Sequence, residues 1–381
     1  MHIMKIFADC RMIDSGGIGT YLESILPYIV KKNDCTLMCT ISQSKKLEKY
    51  KAYATIIITD IKTFSCHETF FFPYKIRKII NSCDVYYSPY CNVPSGIKIP
   101  VFTTIHDIVF LDVSGLSSKT GTLARKFFYQ RAIRRSEAVF TVSKFSSERI
   151  KEKLKIGRTP IVITYNSAPE WFTNQQHIDS EQALQSNKDN SIIFVGNIKK
   201  HKGLSVLLDA FMLCKKKGLD ARLIIIGNAE NFRSGDKETV SKIVSLQSCT
   251  DNQKDIFFTG KITDTDLMEY YKKARLLVQP SLYEGFGMPP MEALASGTNV
   301  ILSDIPVFRE IYSDFPVTFF KSQDADDLAE KILIKFKSNP PERIPEKYSF
   351  KKTSDIIIKT FEETMTERIA DKKQNYIQRE K

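Results

Sequence analysis

Two glutamates are the residues of this sequence best placed to do chemistry. Glu284 and Glu292 have seven residues between them, within the stretch SLYEGFGMPPMEALASG that runs from 281 to 297. Carboxylates bind the hydroxyl groups of sugars and serve as general acids or bases. Each glutamate alone also has a structural explanation, because Glu292 could complement a helix dipole at the surface and Glu284 could accept local backbone N–H groups. Together they predict a site for a ligand rich in hydroxyl groups.

The glutamates are carried by a predicted strand, a glycine loop and the start of a helix. The apolar run Leu276–Gln279 predicts a buried strand, and two glycines let the chain leave it through backbone angles that other residues avoid. Two prolines suit the first turn of the helix, which places Glu292 in that turn, and a third glycine ends it. These residues are Gly285, Gly287, Pro289, Pro290 and Gly297. A helix start attracts an anion because its N–H groups and positive dipole end point outward. A nucleotide diphosphate sugar would bind the helix start through its phosphates and the two carboxylates through its hydroxyl groups.

The pattern Glu-Gly-Phe-Gly-x-Pro-x-x-Glu-Ala-x-Ala-x-Gly from Glu284 to Gly297 resembles the signature of retaining glycosyltransferases with the GT-B fold, most closely family 4 of the group 1 type. The resemblance covers roughly residues 1–360 and is strongest from 191 to 311. It implies an α/β fold of two Rossmann-like, doubly wound parallel-sheet domains that face each other across a cleft. It also implies that Glu284 contacts the donor sugar and Glu292 the ribose.

Length and composition agree with two globular domains. The chain has 381 residues, which is more than one hydrophobic core usually organises. It contains no run of about 18 apolar residues that could span a bilayer, and its first residues are expected to lead into a strand and not to form a signal peptide. Its eight cysteines include no Cys-x-x-Cys pair, and neither they nor the five histidines have metal-ligand spacing. This pattern favours reduced thiols in a cytoplasmic protein.

Strand–helix alternation occurs twice, on either side of a polar segment at 173–190 that we interpret as a linker. We therefore predict an acceptor-binding domain over residues 1–172 and a donor-binding domain over 190–350. By resemblance, residues 351–381 form a C-terminal helix that packs back on the first domain, followed by a tail that frays from Asp371.

The positive charge is concentrated in the first half of the chain. Residues 1–170 contain 25 Lys and Arg against 14 Asp and Glu, whereas the remainder contains 31 against 30. Such a bias can keep a protein soluble or attract an anionic membrane surface. We find no nucleic-acid-binding motif and expect no nucleic-acid partner. A basic amphipathic helix is predicted over Lys119–Arg135, with Leu123, Phe127, Phe128 and Ala132 facing inward.

A glycine-rich sequence follows the first predicted strand, Ile6–Asp9. The glycines at 16, 17 and 19 could form a loop that presents N–H groups to a phosphate, although a tight turn without a ligand explains them equally well. Their spacing differs from the dinucleotide-binding pattern. The helix that follows contains Pro27, which should kink or shorten it. By resemblance, Gly16 and Gly17 close over the donor phosphates.

The buried run Pro100–Ile105 ends in His106 and Asp107, where ligand sites of open parallel sheets lie. A structural histidine that bonds a backbone group is the alternative explanation. By resemblance His106 contacts the donor sugar near the reacting carbon. Asp107 could orient the imidazole or bind an acceptor hydroxyl.

A basic loop, residues 197–203, follows the strand that ends at Gly196 and precedes another helix. A loop of this kind directs positive charge at a phosphate. By resemblance Lys202 grips the diphosphate, although Asn197 and His201 stand where many members of the family have arginine. The donor-binding prediction comprises Gly16, Gly17, Asn197, His201, Lys202, Gly227, Lys261, Ile262, Glu284, Gly285, Phe286, Gly287 and Glu292.

The resemblance implies a retaining transferase that moves a hexose from GDP-mannose or a UDP-sugar to a glycan or lipid-linked oligosaccharide in surface polysaccharide biosynthesis. His106, Lys202 and Glu284 would be catalytic, and closure of the cleft would exclude water. We predict no cofactor other than the donor substrate, and no metal site formed by an Asp-x-Asp sequence. The protein would be cytoplasmic, and a peripheral contact between it and the inner face of the membrane is left open. Alternatives are a nucleotide-sugar epimerase of the same architecture and a catalytically idle nucleotide-sugar-binding module.

Overall fold

The computed structural model describes residues 3–173, 188–227, 236–248, 255–341 and 344–379. The chain forms two compact units, of which the first comprises residues 1–112, 117–166 and 348–381 and the second residues 113–116 and 167–347. Most of the predicted linker, residues 174–187, lies outside the described residues.

Strands and helices alternate along most of the described residues, except that β4 is followed directly by β5. In chain order the strands are β1 (Lys5–Asp9), β2 (Asp34–Cys39), β3 (Ala54–Ile58), β4 (Val85–Ser88), β5 (Val101–Thr104), β6 (Ala138–Thr141), β7 (Ile161–Ile163), β8 (Ser191–Val195), β9 (Arg222–Ile226), β10 (Ile256–Gly260), β11 (Leu276–Gln279), β12 (Asn299–Ser303) and β13 (Thr318–Phe320). The α-helices are α1 (Gly16–Lys32), α2 (Ser44–Leu47), α3 (Cys66–Phe70), α4 (Tyr74–Ile80), α5 (Val109–Asp112), α6 (Lys119–Arg135), α7 (Lys144–Lys153), α8 (Glu170–Thr173), α9 (Leu204–Lys216), α10 (Lys237–Ser248), α11 (Asp264–Lys273), α12 (Met288–Ala295), α13 (Pro306–Tyr312), α14 (Ala325–Lys335) and α15 (Phe350–Arg379).

The first unit is built on a parallel sheet whose described strands have the order β3-β2-β1-β4-β5-β6-β7. Strands β4, β5 and β6 are buried at every position, as expected for a parallel sheet covered on both faces. Helix α15 belongs to this unit, where Phe361 packs against the rings of Phe102 and Phe140. The strand order reverses direction between β1 and β4, which is where ligands of such sheets bind.

Two predictions about the helices of the first unit were wrong. Helix α1 begins at Gly16 and runs through Pro27 to Lys32, so the predicted glycine loop is the first turn of the helix and Pro27 does not shorten it. Pro27 lies on the exposed face, where water can hydrate the carbonyl group that loses its hydrogen bond, while Leu22, Ile25 and Ile29 pack inward. Helix α15 is likewise continuous to Arg379, beyond the predicted fraying point at Asp371.

Helix α6 has the predicted bounds, but only part of its predicted inward face is buried. Tyr129, Ala132 and Ile133 are buried, whereas the side chains of Leu123 and Phe127 are 69% and 50% exposed. Ala132 is buried as predicted, but apolar spacing alone assigned Leu123 and Phe127 to the inward face incorrectly, since the buried side chains all lie in the second half of the helix.

The second unit has a smaller parallel sheet whose described strands have the order β10-β9-β8-β11-β12-β13. Its core joins the sheet to α9 and α14 through apolar side chains such as Phe194, Phe211 and Ile332. The order reverses direction between β8 and β11. The loops after those two strands carry the basic sequence 197–203 and the Glu284 stretch, so the topology brings the two predicted halves of the site to one place.

Candidate functional site

The loops after β8 and β11 are held in direct backbone contact. The N–H of Leu282 donates to the carbonyl oxygen of His201 at 2.7 Å. Gly203 has a φ of +66°, and a Cβ atom there would lie 2.0 Å from the carbonyl oxygen of Pro280. A glycine is therefore required at 203 by both backbone conformation and space. The loop after β9 is held similarly, because a Cβ on Gly227 would lie 2.2 Å from the carbonyl oxygen of Gly196.

Lys202 and Glu284 form an ion pair across these two loops. The Lys202 Nζ lies 2.7 Å from the Glu284 Oε1, and their side chains are 21% and 11% exposed. Ser281 donates a second hydrogen bond to the same oxygen at 2.7 Å. Burial opposes ionisation of Glu284, but Lys202 and Ser281 outweigh it and hold the pKa of this carboxyl below its ordinary value. The site therefore combines an ionised carboxylate with a lysine whose other N–H groups can reach a phosphate.

His201 is buried beside this pair and lacks a positive charge at neutral pH. Burial, together with Lys202 and Lys199, lowers its pKa to about 4. Its Nδ1 is buried without a hydrogen-bond partner among the described residues. Asn197 is exposed at the end of β8 and is also uncharged. Neither residue supplies the cation that an arginine would place there, so Lys202 is the cation next to Glu284 in this loop.

The helix start at α12 differs from the prediction at one of its two glycines. Gly287 has a φ of +85° and its position is crowded by the Phe308 ring, but Gly285 has no positive φ. Pro289 and Pro290 occupy the first turn, as predicted. Since proline has no N–H, this turn presents two fewer donors to an anion than an ordinary helix start.

Glu292 is not a surface residue complementing a dipole. It is the fifth residue of α12, one position beyond the predicted first turn, and is only 5% exposed. The hydroxyl of Tyr271 on α11 donates to its Oε2 at 2.8 Å. Burial, with a smaller contribution from Asp264, raises the pKa of Glu292 to about 7 against the opposing effect of the Tyr271 hydrogen bond. Tyr271 and Ser281 carried no signal in the sequence, because a hydroxyl becomes significant only when its partner is known.

The remaining residues predicted for the donor site in this unit lie at the same edge of the sheet. Gly227 follows β9, and Lys261 and Ile262 follow β10, the strand at the end of the sheet. Gly285 and Phe286 lie in the loop between β11 and α12. The structure thus places all the C-terminal predicted residues except Glu292 in loops that follow adjacent parallel strands.

In the first unit, His106 follows β5 and is held as a neutral imidazole. Its Nε2 lies 2.9 Å from the carbonyl oxygen of Pro89, and Tyr21 of α1 packs edge-on against its ring at 4.8 Å. Burial lowers its pKa to about 4, although the bond to Pro89 acts in the opposite direction. Because a carbonyl oxygen only accepts, Nε2 carries the hydrogen and Nδ1 is an acceptor.

Asp107 does not orient that imidazole. Its Oδ1 accepts from the N–H of Val109 at 3.0 Å, at the start of the one-turn helix α5. The carbonyl group of Pro89 does the orienting instead. Gly16 and Gly17 form the first turn of α1, and Gly16 has a φ of +49°.

Two family models match this chain and together cover most of it. The model described as "Glycosyltransferase Family 4" matches residues 15–169, and the model described as "Glycosyl transferases group 1" matches residues 175–352. The chain belongs to the group 1, family 4 glycosyltransferases.

Relatives and solved structures agree with this family. The O-antigen chain mannosyltransferase RfbU of Salmonella typhimurium is 30% identical over 190 residues, which are 50% of this chain and 48% of that protein. The chain thus spans about half the length of that relative. A glycosyltransferase structure from Rickettsia africae has a TM-score of 0.64 at 16% identity and covers 98% of this chain and 99% of its own. The Anabaena protein HepE in complex with UDP and glucose has a TM-score of 0.62 at 16% identity, covering 98% and 100%. The predicted GT-B fold is confirmed.

The Asp-x-Asp sequences of this glycosyltransferase serve as helix starts. In the sequence Asp264-Thr265-Asp266, both carboxylates lie in the first turn of α11, which Thr263 caps. In Asp324-Ala325-Asp326, Asp324 caps α14. The described residues include no group of three or more His, Cys, Asp or Glu side chains arranged to hold a metal ion. None of the described helices has both the length and the hydrophobicity needed to cross a bilayer.

A buried ionic cluster in the first unit of the glycosyltransferase was not predicted. Arg11, just beyond β1, contacts the carboxylates of both Asp9 and Glu68, with its Nε 2.9 Å from the Asp9 Oδ1. The hydroxyl of Tyr90 also donates to Asp9, at 2.7 Å. Burial raises the pKa of Glu68 to about 7 although Arg11 opposes the shift. These residues are distant in sequence and meet only because β1, β4 and α3 converge.

Proposed function

We propose that this protein is a retaining glycosyltransferase that moves a hexose from a nucleotide diphosphate sugar to a glycan or lipid-linked oligosaccharide. The observation that carries the proposal is the Lys202–Glu284 pair at the point where the order of the second sheet reverses. A diphosphate needs a cation and a sugar needs hydrogen-bond acceptors, and this pair supplies both within one contact. The second unit would bind the donor and the first unit the acceptor.

The ion pair suggests how the donor would be held. Some of the hydrogen bonds that Lys202 donates would go to a phosphate oxygen instead of Glu284. The Glu284 carboxylate would then accept hydrogen bonds from hydroxyls of the sugar. Glu292 would accept from the ribose through the oxygen that Tyr271 does not occupy. Because the ligand replaces interactions that already exist, binding does not leave either charge buried alone.

The chemical step would consist of one substitution at the anomeric carbon. The bond from that carbon to the diphosphate breaks, and the acceptor oxygen forms a new bond on the same face. The departing phosphate takes the proton of the acceptor hydroxyl, so the nucleoside diphosphate leaves with that proton and the configuration is retained. Lys202 stabilises the negative charge that develops on the phosphate as it leaves.

His106 would contribute as a hydrogen-bond acceptor and not as an acid. With a pKa of about 4 the imidazole is neutral near pH 7. Its Nε2–H is used by Pro89, which leaves the Nδ1 lone pair to accept from a hydroxyl of the donor sugar. This role positions the sugar and does not move a proton.

The activities of similar proteins narrow the choice of donor sugar nucleotide. RfbU is named a mannosyltransferase of O-antigen chains, and HepE was solved with UDP and glucose. We therefore propose GDP-mannose or a UDP-hexose as donor, surface polysaccharide as product, and the cytoplasmic side of a membrane as the place of action. The proposal includes no metal ion, so we expect chelation by EDTA to leave the rate unchanged.

Incubation of the purified protein with GDP-mannose and a panel of UDP-sugars tests the proposal. Transfer to an acceptor, or slow release of nucleoside diphosphate into water, is expected. A new epimer of the sugar would indicate the epimerase, and binding without turnover would indicate the idle module suggested by the uncharged Asn197 and His201. Lys202→Ala should lower release on the order of 10²-fold, whereas Lys200→Ala, an exposed lysine of the same loop, should not.

A further inference from the structure

An unusual concentration of apolar side chains is exposed on the first unit. Phe70 and Phe71 follow one another at the end of α3 with 55% and 70% of their surface exposed, and Tyr74 at the start of α4 is 70% exposed. Leu123 and Phe127 lie one turn apart on α6, so they share a face of that helix. Clusters of this kind on a folded surface mark contact sites for another partner.

Aromatic contacts and a shared core join the two segments that carry these side chains. The ring of Phe64, just before α3, lies 6.0 Å from Phe128 of α6, and Phe128 lies 5.6 Å from Phe127. Phe72, at the end of the α3 segment, and Ala132 of α6 are buried in the same core cluster, so the two segments lie on one side of the sheet. We call the exposed part of residues 62–79 and 119–135 the α3–α6 surface.

The α3–α6 surface is strongly basic. Helix α6 contains six Lys and Arg residues and no Asp or Glu. Residues 62–79 contain four Lys and Arg residues and a single acid, Glu68, which is fully buried. Among the described residues, no acidic side chain forms an ion pair with a cation of α6. The exposed cations include Lys62, Lys75, Lys78, Lys119, Lys126 and Arg134.

The aromatic side chains are presented by a segment that is fixed to the sheet. Glu68 of α3 accepts from Arg11 and from Asn92, and also from the backbone N–H of Phe64 at 2.6 Å. The Ser65 side chain caps α3 by accepting from the Glu68 N–H. Buried ionic bonds of this kind hold the chain in one conformation. The hydrogen bonds of Glu68 and Ser65 therefore fix the segment that exposes Phe70 and Phe71.

We propose that the α3–α6 surface binds the anionic surface of a lipid bilayer. Exposed Phe and Leu side chains inserted among lipid headgroups, surrounded by Lys and Arg, are the combination that such a surface attracts. A second copy of the chain would bring the same positive charges together, which opposes self-association. A nucleic acid would pair with the cations but would gain little from Leu123. The bilayer is a partner of the proposed transferase, but lipid binding can be measured without turnover, so either proposal can fail alone.

Flotation of the full chain with vesicles tests the proposal. We expect binding to vesicles of phosphatidylcholine with about 30% phosphatidylglycerol, weak binding to phosphatidylcholine alone, and loss of binding as salt rises, because the Debye length shortens. Equal binding to both kinds of vesicle, or binding that salt does not change, would overturn it. Tighter binding to single-stranded RNA than to vesicles would show that the surface serves nucleic acid and would overturn it as well.

Matched variants locate the contact. The double variant Lys126→Glu with Arg134→Glu should weaken binding at least about 30-fold, since each cation near an anionic bilayer contributes roughly fivefold. The control is Lys216→Glu with Lys217→Glu, two exposed lysines of the second unit, which should bind as the parent does. An equal loss in the control would overturn the proposal.

A second pair of variants tests the apolar part of the surface. Phe70→Ser with Phe71→Ser should weaken vesicle binding by about tenfold. Ile334→Ser removes a side chain of the second unit that is 60% exposed and should have no effect. Nucleoside diphosphate release without vesicles should persist in all these variants, which separates loss of the docking surface from loss of the active protein. Unchanged vesicle binding by both the basic and the aromatic variants would refute the assignment.

Discussion

Glu292 should control how the stability of the second unit depends on pH. Its pKa is raised from 4.5 to about 7 by burial, so the folded protein favours the protonated carboxyl more than the unfolded chain does. The stabilisation from this group is therefore complete below pH 4.5 and is lost as the pH rises through 7. Glu292→Gln replaces the carboxyl with a neutral group of the same shape. We expect this variant to lose that part of the pH dependence.

The size of the effect follows from the pKa difference. Each pKa unit corresponds to about 1.4 kcal/mol, so a change from 4.5 to about 7 corresponds to about 3 kcal/mol between low and high pH. For a unit of this size each kcal/mol shifts the melting temperature by about 2–4 °C. The difference in melting temperature between pH 5 and pH 8 should be smaller in Glu292→Gln by about 5–10 °C.

The single tryptophan makes the measurement specific. Trp171 lies in α8 of the second unit, so its fluorescence reports the unfolding of that unit. Melting curves of the parent and of Glu292→Gln are compared at pH 5 and pH 8. Because the other titrating groups are the same in both proteins, the difference between the two pH dependences reports Glu292. The same pH difference in both proteins would show that Glu292 does not titrate as its burial implies.

Tyr271→Phe tests the same carboxylate through donor binding. A hydrogen bond to a charged group is worth about 1.5–3 kcal/mol, so its loss should raise the pKa of Glu292 by at least about one unit. The ionised fraction at pH 7 would fall from about half to about a tenth, and the Michaelis constant for the donor should rise about fivefold at pH 7 but recover near pH 9. A rise that is equal at both pH values would mean that Tyr271 acts only by packing.

Three further predictions concern the loops and the buried charges. Glu284→Ala should reduce turnover on the order of 10²-fold without changing the melting temperature by more than a few degrees, and parent-like rates would remove Glu284 from the proposed site. Gly203→Ala should destabilise the second unit far more than Gly218→Ala, because both glycines have positive φ but only Gly203 would clash, with Pro280. Equal melting temperatures would contradict the close approach of the two loops. Arg11→Met should lower the free energy of unfolding by about 3–5 kcal/mol, because it leaves two buried carboxylates without a cation. Glu68→Gln should lower it much less, because the remaining carboxylate stays paired with Arg11. Chemical denaturation followed by circular dichroism compares the two variants.

Much of the fold could be predicted because each of its signals is local. Strands such as β4 and β11 are short apolar runs buried on both faces, and the helices between them begin and end at residues with clear preferences. Gly297 follows the end of α12, as predicted, and Ser143 caps α7. The errors arose where a local rule met the tertiary environment. Pro27 is tolerated because its face is exposed, and Leu123 lies in the first half of α6, where no side chain is buried.

The sequence alone determined which residues could bind a phosphate or a sugar, since the spacing of Glu284, Glu292 and the glycines is a property of one continuous stretch. It also determined that Lys202 precedes a glycine after a buried strand. Only the tertiary structure decided that Lys202 pairs with Glu284, because that contact requires β8 and β11 to be neighbours in the sheet although 82 residues separate the two side chains. The raised pKa of Glu292 has the same origin, because burial and the hydroxyl of Tyr271 are supplied by elements that the local sequence does not contain.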